Sequence, residues 1–136
     1  MESKTLRYKH IVVVLSLLLM ILTIPHVLED FALGEPAKNG VPELLLRGVV
    51  AGLITIQALG LYILGGNQRR GYFIQMVVGL IWPLLAGIAQ LPAILSFRPY
   101  RAGFSSIFFV IGMIIMGALL FLTSIQALRI TSRPKD

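Results

Sequence analysis

The sequence predicts an all-α integral membrane protein, with four transmembrane helices in an antiparallel bundle and both termini cytoplasmic. Three observations carry this. Of 136 residues, 57% are hydrophobic and only 13% are charged, about half the charge of an ordinary soluble domain. The mean hydropathy is +0.86. Four apolar stretches each reach the length of about 20 residues that crosses a bilayer core. Cysteine is absent, which excludes disulfide scaffolds, dithiol redox chemistry, Fe–S clusters and thiolate zinc sites.

The first span covers residues 11–28, and its only hydroxyl or titratable side chains are Ser16, Thr23 and His26. Lys4, Arg7 and Lys9 precede it as they would in a signal peptide. The run ends Thr23-Ile24-Pro25-His26 without a small-x-small cleavage site, so an uncleaved helix is expected. Residues 29–43 form the only long loop. Gly34, Pro36, Asn39-Gly40 and Pro42 fill it with turn signals. The second span covers residues 44–66, and Gly65-Gly66 at its end is expected to supply the left-handed conformation that stops a helix. After the tight connection Asn67-Gln68-Arg69-Arg70, the third span covers residues 71–96. Pro83 is expected to kink it and Pro92 to mark a bend or its end. The fourth covers residues 103–128. These four spans leave no room for a soluble domain, so residues 1–136 are read as a single transmembrane domain.

Sidedness follows from the charges. With four spans the termini share a side, which carries eight basic residues: Lys4, Arg7, Lys9, Arg69, Arg70, Arg129, Arg133 and Lys135. The opposite side carries four: Lys38, Arg47, Arg98 and Arg101. Glu29, Asp30, Glu35 and Glu43 share that second side, leaving only Glu2 and Asp136 with the termini. The positive-inside rule places both termini in the cytoplasm of a cell (plasma or inner) membrane. The pI near 10.2 arises from basic residues flanking apolar spans. These are read as anchors for anionic lipid headgroups, with membrane lipid bound and no nucleic acid. Arg98 and Arg101 are expected to face Glu29, Asp30 or Glu35 as exposed ion pairs, worth about 0–1 kcal/mol each.

In lipid, helices associate through close backbone approach and a few polar contacts. Gly48, Ala51, Gly52, Thr55 and Ala58 fall at helical spacing on the second span, and Gly71, Gln75, Gly79, Pro83, Ala86, Gly87 and Gln90 on the third. Gly48, Gly52, Thr55, Gly79 and Gly87 are the expected packing positions, meeting each other within the chain or meeting another chain. Gln57, Gln75 and Gln90 are candidates for a polar cavity. Residues 48–66, 71–97 and 102–128 contain no charged side chain, which argues against ion-coupled transport by a single chain.

His26, Glu29 and Asp30 form the one cluster with ligand chemistry. Positions i, i+3 and i+4 share a helix face, and an imidazole with two carboxylates suits a first-row divalent metal at the outer face. Pro25 alternatively suits the first turn of a short interfacial helix. The two histidines, His10 and His26, lie sixteen residues apart, about 24 Å along one helix, too far to ligate one haem together. No Gly-x-Ser-x-Gly elbow, HExxH or phosphate-cradling loop is present, so catalysis by this chain alone is not expected. The leading expectation is a small non-catalytic tetraspan subunit of a larger membrane complex, held to other subunits or to copies of itself by helix packing. The alternatives are a homo-oligomeric transporter or channel for a neutral or hydrophobic solute, and an outer-face metal- or cofactor-binding protein using His26, Glu29 and Asp30.

Overall fold

The computed structural model describes residues 2–96 and 99–132. These are all-helical: α1 (Glu2–Ala32), a single turn α2 (Glu35–Lys38), α3 (Glu43–Gly65), α4 (Arg69–Ile94) and α5 (Phe104–Thr131). The four long helices are each long and apolar enough to cross a membrane. Arg98, Arg133, Lys135 and Asp136, used above to assign sidedness, lie outside the described residues.

α1 is longer than its apolar run. It continues through Pro25 to Ala32, so no separate interfacial helix begins at Pro25, and His26, Glu29 and Asp30 belong to its last turns. At 31 residues it measures about 46 Å. α4 likewise runs through Pro83 and ends two residues beyond Pro92. Gly34 (φ +67°) and Gly40 (φ +68°) take left-handed conformations on either side of α2. At the end of α3 the expectation for glycine is corrected. Gly66 has φ −75°, and it is Asn67, at φ +60°, that turns the chain, a conformation asparagine tolerates better than most residues. Lys9 on α1 caps this turn, donating from Nζ to the Gly65 carbonyl at 3.0 Å and to Asn67 Oδ1 at 2.6 Å. A cation at the carbonyl end of a helix complements its dipole.

α5 packs along both α4 and α1, α3 packs along α4, and α1 barely touches α3. The α4–α5 seam depends on two glycines. A Cβ on Gly79 would sit 2.7 Å from the Phe121 nitrogen and 3.0 Å from the Gly117 carbonyl, and one on Gly117 would strike the Pro83 ring. At the α3–α4 turn, a Cβ on Gly71 would lie 2.6 Å from the Leu64 nitrogen. Farther from that turn α3 parts from its neighbours. Its buried residues are Gln57, Gly60 and Leu64, all in its second half.

Of the two arrangements expected for the small-residue faces, contact with each other within the chain is not the one seen. Gly48 and Gly52 are exposed with nothing within 4 Å of an added Cβ. Thr55 is also exposed and donates to its own helix, at the Ala51 carbonyl. Gly79 faces α5, and Gly87 meets only Leu91 of its own helix. Gly79→Ala and Gly71→Ala should each destabilise the chain by about 1–3 kcal/mol through overpacking against backbone, whereas Gly52→Ala should leave its intrachain packing unchanged. Unfolding by denaturing detergent, followed by circular dichroism, measures the difference.

Candidate functional site

Two buried polar layers lie within the helices. The first, at mid-helix, is self-contained. Ser16 Oγ donates to Gln75 Oε1 at 2.8 Å, and Gln75 Nε2 donates to the Gln57 carbonyl at 2.8 Å. Gln57 Nε2 donates to the Ser16 carbonyl and to Ser16 Oγ, both at 3.0 Å, and Gln57 Oε1 accepts from Trp82 Nε1 at 3.2 Å. Gln57, Gln75 and Ser16 are wholly buried. Two of the three glutamines expected to line a polar cavity thus bond to one another and to α1. Their amides are consumed in holding α1, α3 and α4 together, and only Gln90 reaches a cavity.

The second layer gathers residues from the last turns of α1, the end of α4, the 99–103 connection and the start of α5. Asp30 Oδ1 is paired with Arg101 Nη1, and Arg101 Nη2 lies 3.7 Å from Glu35 Oε2. Lys38 holds the other Glu35 oxygen at 2.9 Å. The Arg101 side chain is only 9% exposed, so this is not the solvent-exposed pair expected from the sequence. Arg101 sits at φ +43°, a left-handed conformation that costs a non-glycine residue about 1–3 kcal/mol and recurs at functional sites. Burial lowers its pKa, and Glu29 opposes that shift. Its guanidinium lies 5.1 Å from the centroid of the Tyr100 ring.

Tyr100 donates to Gln90 Oε1 at 2.6 Å, and Gln90 Nε2 reaches Asp30 Oδ2 at 3.5 Å. Burial, with Glu35 and Glu29 adding to it, pushes the Tyr100 pKa up to about 12, so its hydroxyl keeps the proton it donates. Glu29 turns toward α5 and accepts from Ser106 Oγ at 2.8 Å. His26 is 3% exposed, its Nε2 lies 3.7 Å from Asp30 Oδ2, and its Nδ1 has no hydrogen-bond partner.

His26, Glu29 and Asp30 are thus neighbours, but as placed they are not a ligand set. Among the described residues no group of three His, Asp or Glu side chains is arranged to hold a metal ion. The physical reason is that each carboxylate is already engaged: a guanidinium takes one oxygen of Asp30, and Glu29 points away to a serine. Arg101, Tyr100, Ser106 and Trp82 were not singled out as site residues by sequence reasoning. The signal for Arg101 was its position in a short connection opposite three carboxylates.

Below this polar layer, where α3 parts from α1 and α4, lies a cavity of about 400 Å³. Val27, Val49, Val50, Leu53, Leu85, Ala89 and Met113 form apolar walls, Trp82 lies against its side, and His26, Asp30, Glu35, Gln90 and Arg101 close its polar end. Its size lies within the range of about 300–1,000 Å³ usual for small-molecule sites. A second cleft, between the start of α1 and the end of α5, is lined by Lys4, Arg7, Tyr8, Thr123 and Gln126 among others.

The chain matches no protein-family model, no curated protein and no solved structure.

Removing one partner of a buried ion pair strands the other charge, at a cost of about 3–5 kcal/mol. Arg101→Ala should therefore destabilise the protein by about that amount, and adding Asp30→Asn to it should restore a large part of the loss. Detergent-unfolding midpoints of the two single variants and the double variant test the coupling. Simple additivity would contradict it.

Proposed function

We propose that this chain is a small multi-pass membrane protein that binds an amphiphilic small molecule taken from the bilayer. The observation that carries the reading is the cavity beside α3, apolar along its walls and closed at one end by the buried His26 and Gln90 and the part-buried Asp30, Glu35 and Arg101. In lipid an ionisable side chain on a helix is costly and marks a functional site by default. Here one, His26, also has an unpartnered ring nitrogen. The molecule's apolar portion lies along Val49, Val50, Leu53 and Leu85, and its head meets His26, Asp30, Gln90 and Arg101.

The four helices form an antiparallel bundle with both termini in the cytoplasm of the plasma or inner membrane. Contacts of Lys9 with the α3–α4 turn and of Tyr8 with Gln126 at the end of α5 support this arrangement at one end. Those of Asp30 with Arg101 and Glu29 with Ser106 support it at the other. The excess of basic residues at the first end makes it cytoplasmic, which puts the cavity's polar end near the outer surface. The basic cleft of Lys4 and Arg7 then suits anionic lipid headgroups of the inner leaflet.

A second reading, a subunit of a larger membrane complex, is favoured by the uncovered small-residue face of α3 at Gly48, Gly52 and Thr55, which admits close backbone approach by another helix. The two readings are compatible, since that face and the cavity lie on different sides of α3.

Two measurements test these proposals. Wild-type protein extracted in mild detergent should carry a stoichiometric small amphiphile by native mass spectrometry. Val50→Phe, which fills the cavity, should lose it while keeping wild-type helix content. A variant that keeps the molecule would sink the cavity reading, and the same spectra report the co-migrating chains that the subunit reading requires. Because the natural sequence has no cysteine, single cysteines report sidedness cleanly. In intact cells an impermeant maleimide should label Asn39→Cys and should label Ser132→Cys only after lysis; the reverse pattern inverts the topology.

A further inference from the structure

At the polar end of the cavity the charges are paired and the hydrogen-bond acceptors are not. The lining carboxylates, Asp30 and Glu35, have Arg101 and Lys38. A charged head would therefore find no unpaired opposite charge among the described lining residues, and burying it unpaired is costly. Donors are what this end lacks. Asp30 Oδ2 has only Gln90 Nε2 at 3.5 Å and His26 Nε2 at 3.7 Å, both beyond the span of about 2.7–3.2 Å usual for N–H···O bonds. His26 lines the cavity, and its Nδ1 is buried with no partner among the described residues.

The surroundings of His26 assign its ring. A carboxylate only accepts, so the nitrogen nearest Asp30 Oδ2, Nε2, carries hydrogen. The carboxylates that could balance an imidazolium are engaged, Asp30 by Arg101 and Glu29 by Ser106, so the ring is the neutral form. A neutral imidazole has one N–H and one acceptor nitrogen. Nδ1 is therefore an unfilled acceptor.

Resting on the cavity reading, and deepening it, we propose that the bound amphiphile has a neutral hydroxyl head whose O–H donates to His26 Nδ1. A hydroxyl supplies the missing donor and brings no charge. An ether oxygen only accepts, and would set one lone pair against another. An ammonium or a carboxylate brings a charge for which the lining has no free partner. The alkyl portion follows the valine and leucine walls beside α3.

The protein carries its own reporter, since Trp82 is its one tryptophan and lies against the cavity. Dodecanol, dodecyl methyl ether, dodecylamine and dodecanoate have equal alkyl chains and differ at the head. They are titrated at neutral pH into the full-length protein in nonionic detergent, with concentration counted as mole fraction in the micelle. Dodecanol should perturb Trp82 fluorescence at a concentration about three- to tenfold below the ether, the factor that one hydrogen bond supplies. The amine and the carboxylate should each need more than dodecanol. His26→Leu should bring dodecanol and the ether together while both still bind. If that variant does not fold, the ranking of the four probes on wild-type protein decides alone. The ether binding as tightly as dodecanol, or His26→Leu keeping the full preference, overturns donation to His26. The amine or the carboxylate binding more tightly than dodecanol overturns the neutral head. Each of these leaves the cavity reading intact. No saturable response to any probe, with Val50→Phe indistinguishable from wild type, overturns the cavity reading and this inference with it.

Discussion

Asp30 places a carboxylate in the last turns of a long apolar helix, and most of the charged end of the molecule follows from that. A buried carboxylate needs a cation with good geometry, and the chain delivers one from the connection between α4 and α5. Arg101 reaches Asp30 from a backbone conformation that asparagine or glycine would adopt more easily, so the pair holds the connection in place as well as neutralising a charge. Through it the end of α1 is tied to the ends of α4 and α5. Tyr100, the preceding residue, extends the tie by donating to Gln90 of α4. Ser106 of α5 meets Glu29 one residue before Asp30. The extension of α1 past its apolar run is explained by the same contacts, which give its charged last turns partners.

Helices in lipid lack the hydrophobic drive that collapses a soluble core, so their contacts must come from close packing and polar bonds. Here both are distributed unevenly. α4 and α5 touch backbone to backbone at Gly79 and Gly117, and α3 and α4 do so only near their connecting turn, at Gly71 and Leu64. The glutamine–serine layer then fixes α3 against α1 by hydrogen bonds at Gln57. Beyond that residue the ties of α3 to α1 are weaker, Arg47 lying over the Phe31 ring at 5.2 Å, and the gap that remains is the cavity. The opening is thus a consequence of where the hydrogen-bonded tie falls.

The long apolar runs were legible in the sequence because spanning length and hydropathy are local properties. Partners were not, because periodicity tells which residues share a face and not what that face meets. Gly48 and Gln57 illustrate the point. They lie nine residues apart, two and a half helical turns, hence on opposite sides of α3. The small-residue stripe and the buried amide could not both face the same neighbour, and the amide, which needs a hydrogen-bond partner, took the inward position. The cluster of His26, Glu29 and Asp30 was legible as chemistry through its i, i+3, i+4 spacing. Its arrangement was not, since Arg101 arrives from 71 residues away and the carboxylates diverge to different helices.

The division of labour among the polar residues bears on function. Gln57, Gln75, Ser16 and Trp82 satisfy one another almost completely, and such a layer specifies packing without offering a vacancy to a ligand. The second layer is built from stronger groups and leaves more undone: one carboxylate oxygen is held only at long range, and one imidazole nitrogen is not held at all. A protein that needed these residues for stability alone would gain by closing those contacts, because an unmet buried polar group costs about 1–3 kcal/mol. Their incompleteness lies beside the cavity that opens where α3 parts from α1 and α4. Helix packing is therefore served by the glutamine–serine layer, and the ligand site proposed above would draw on the other.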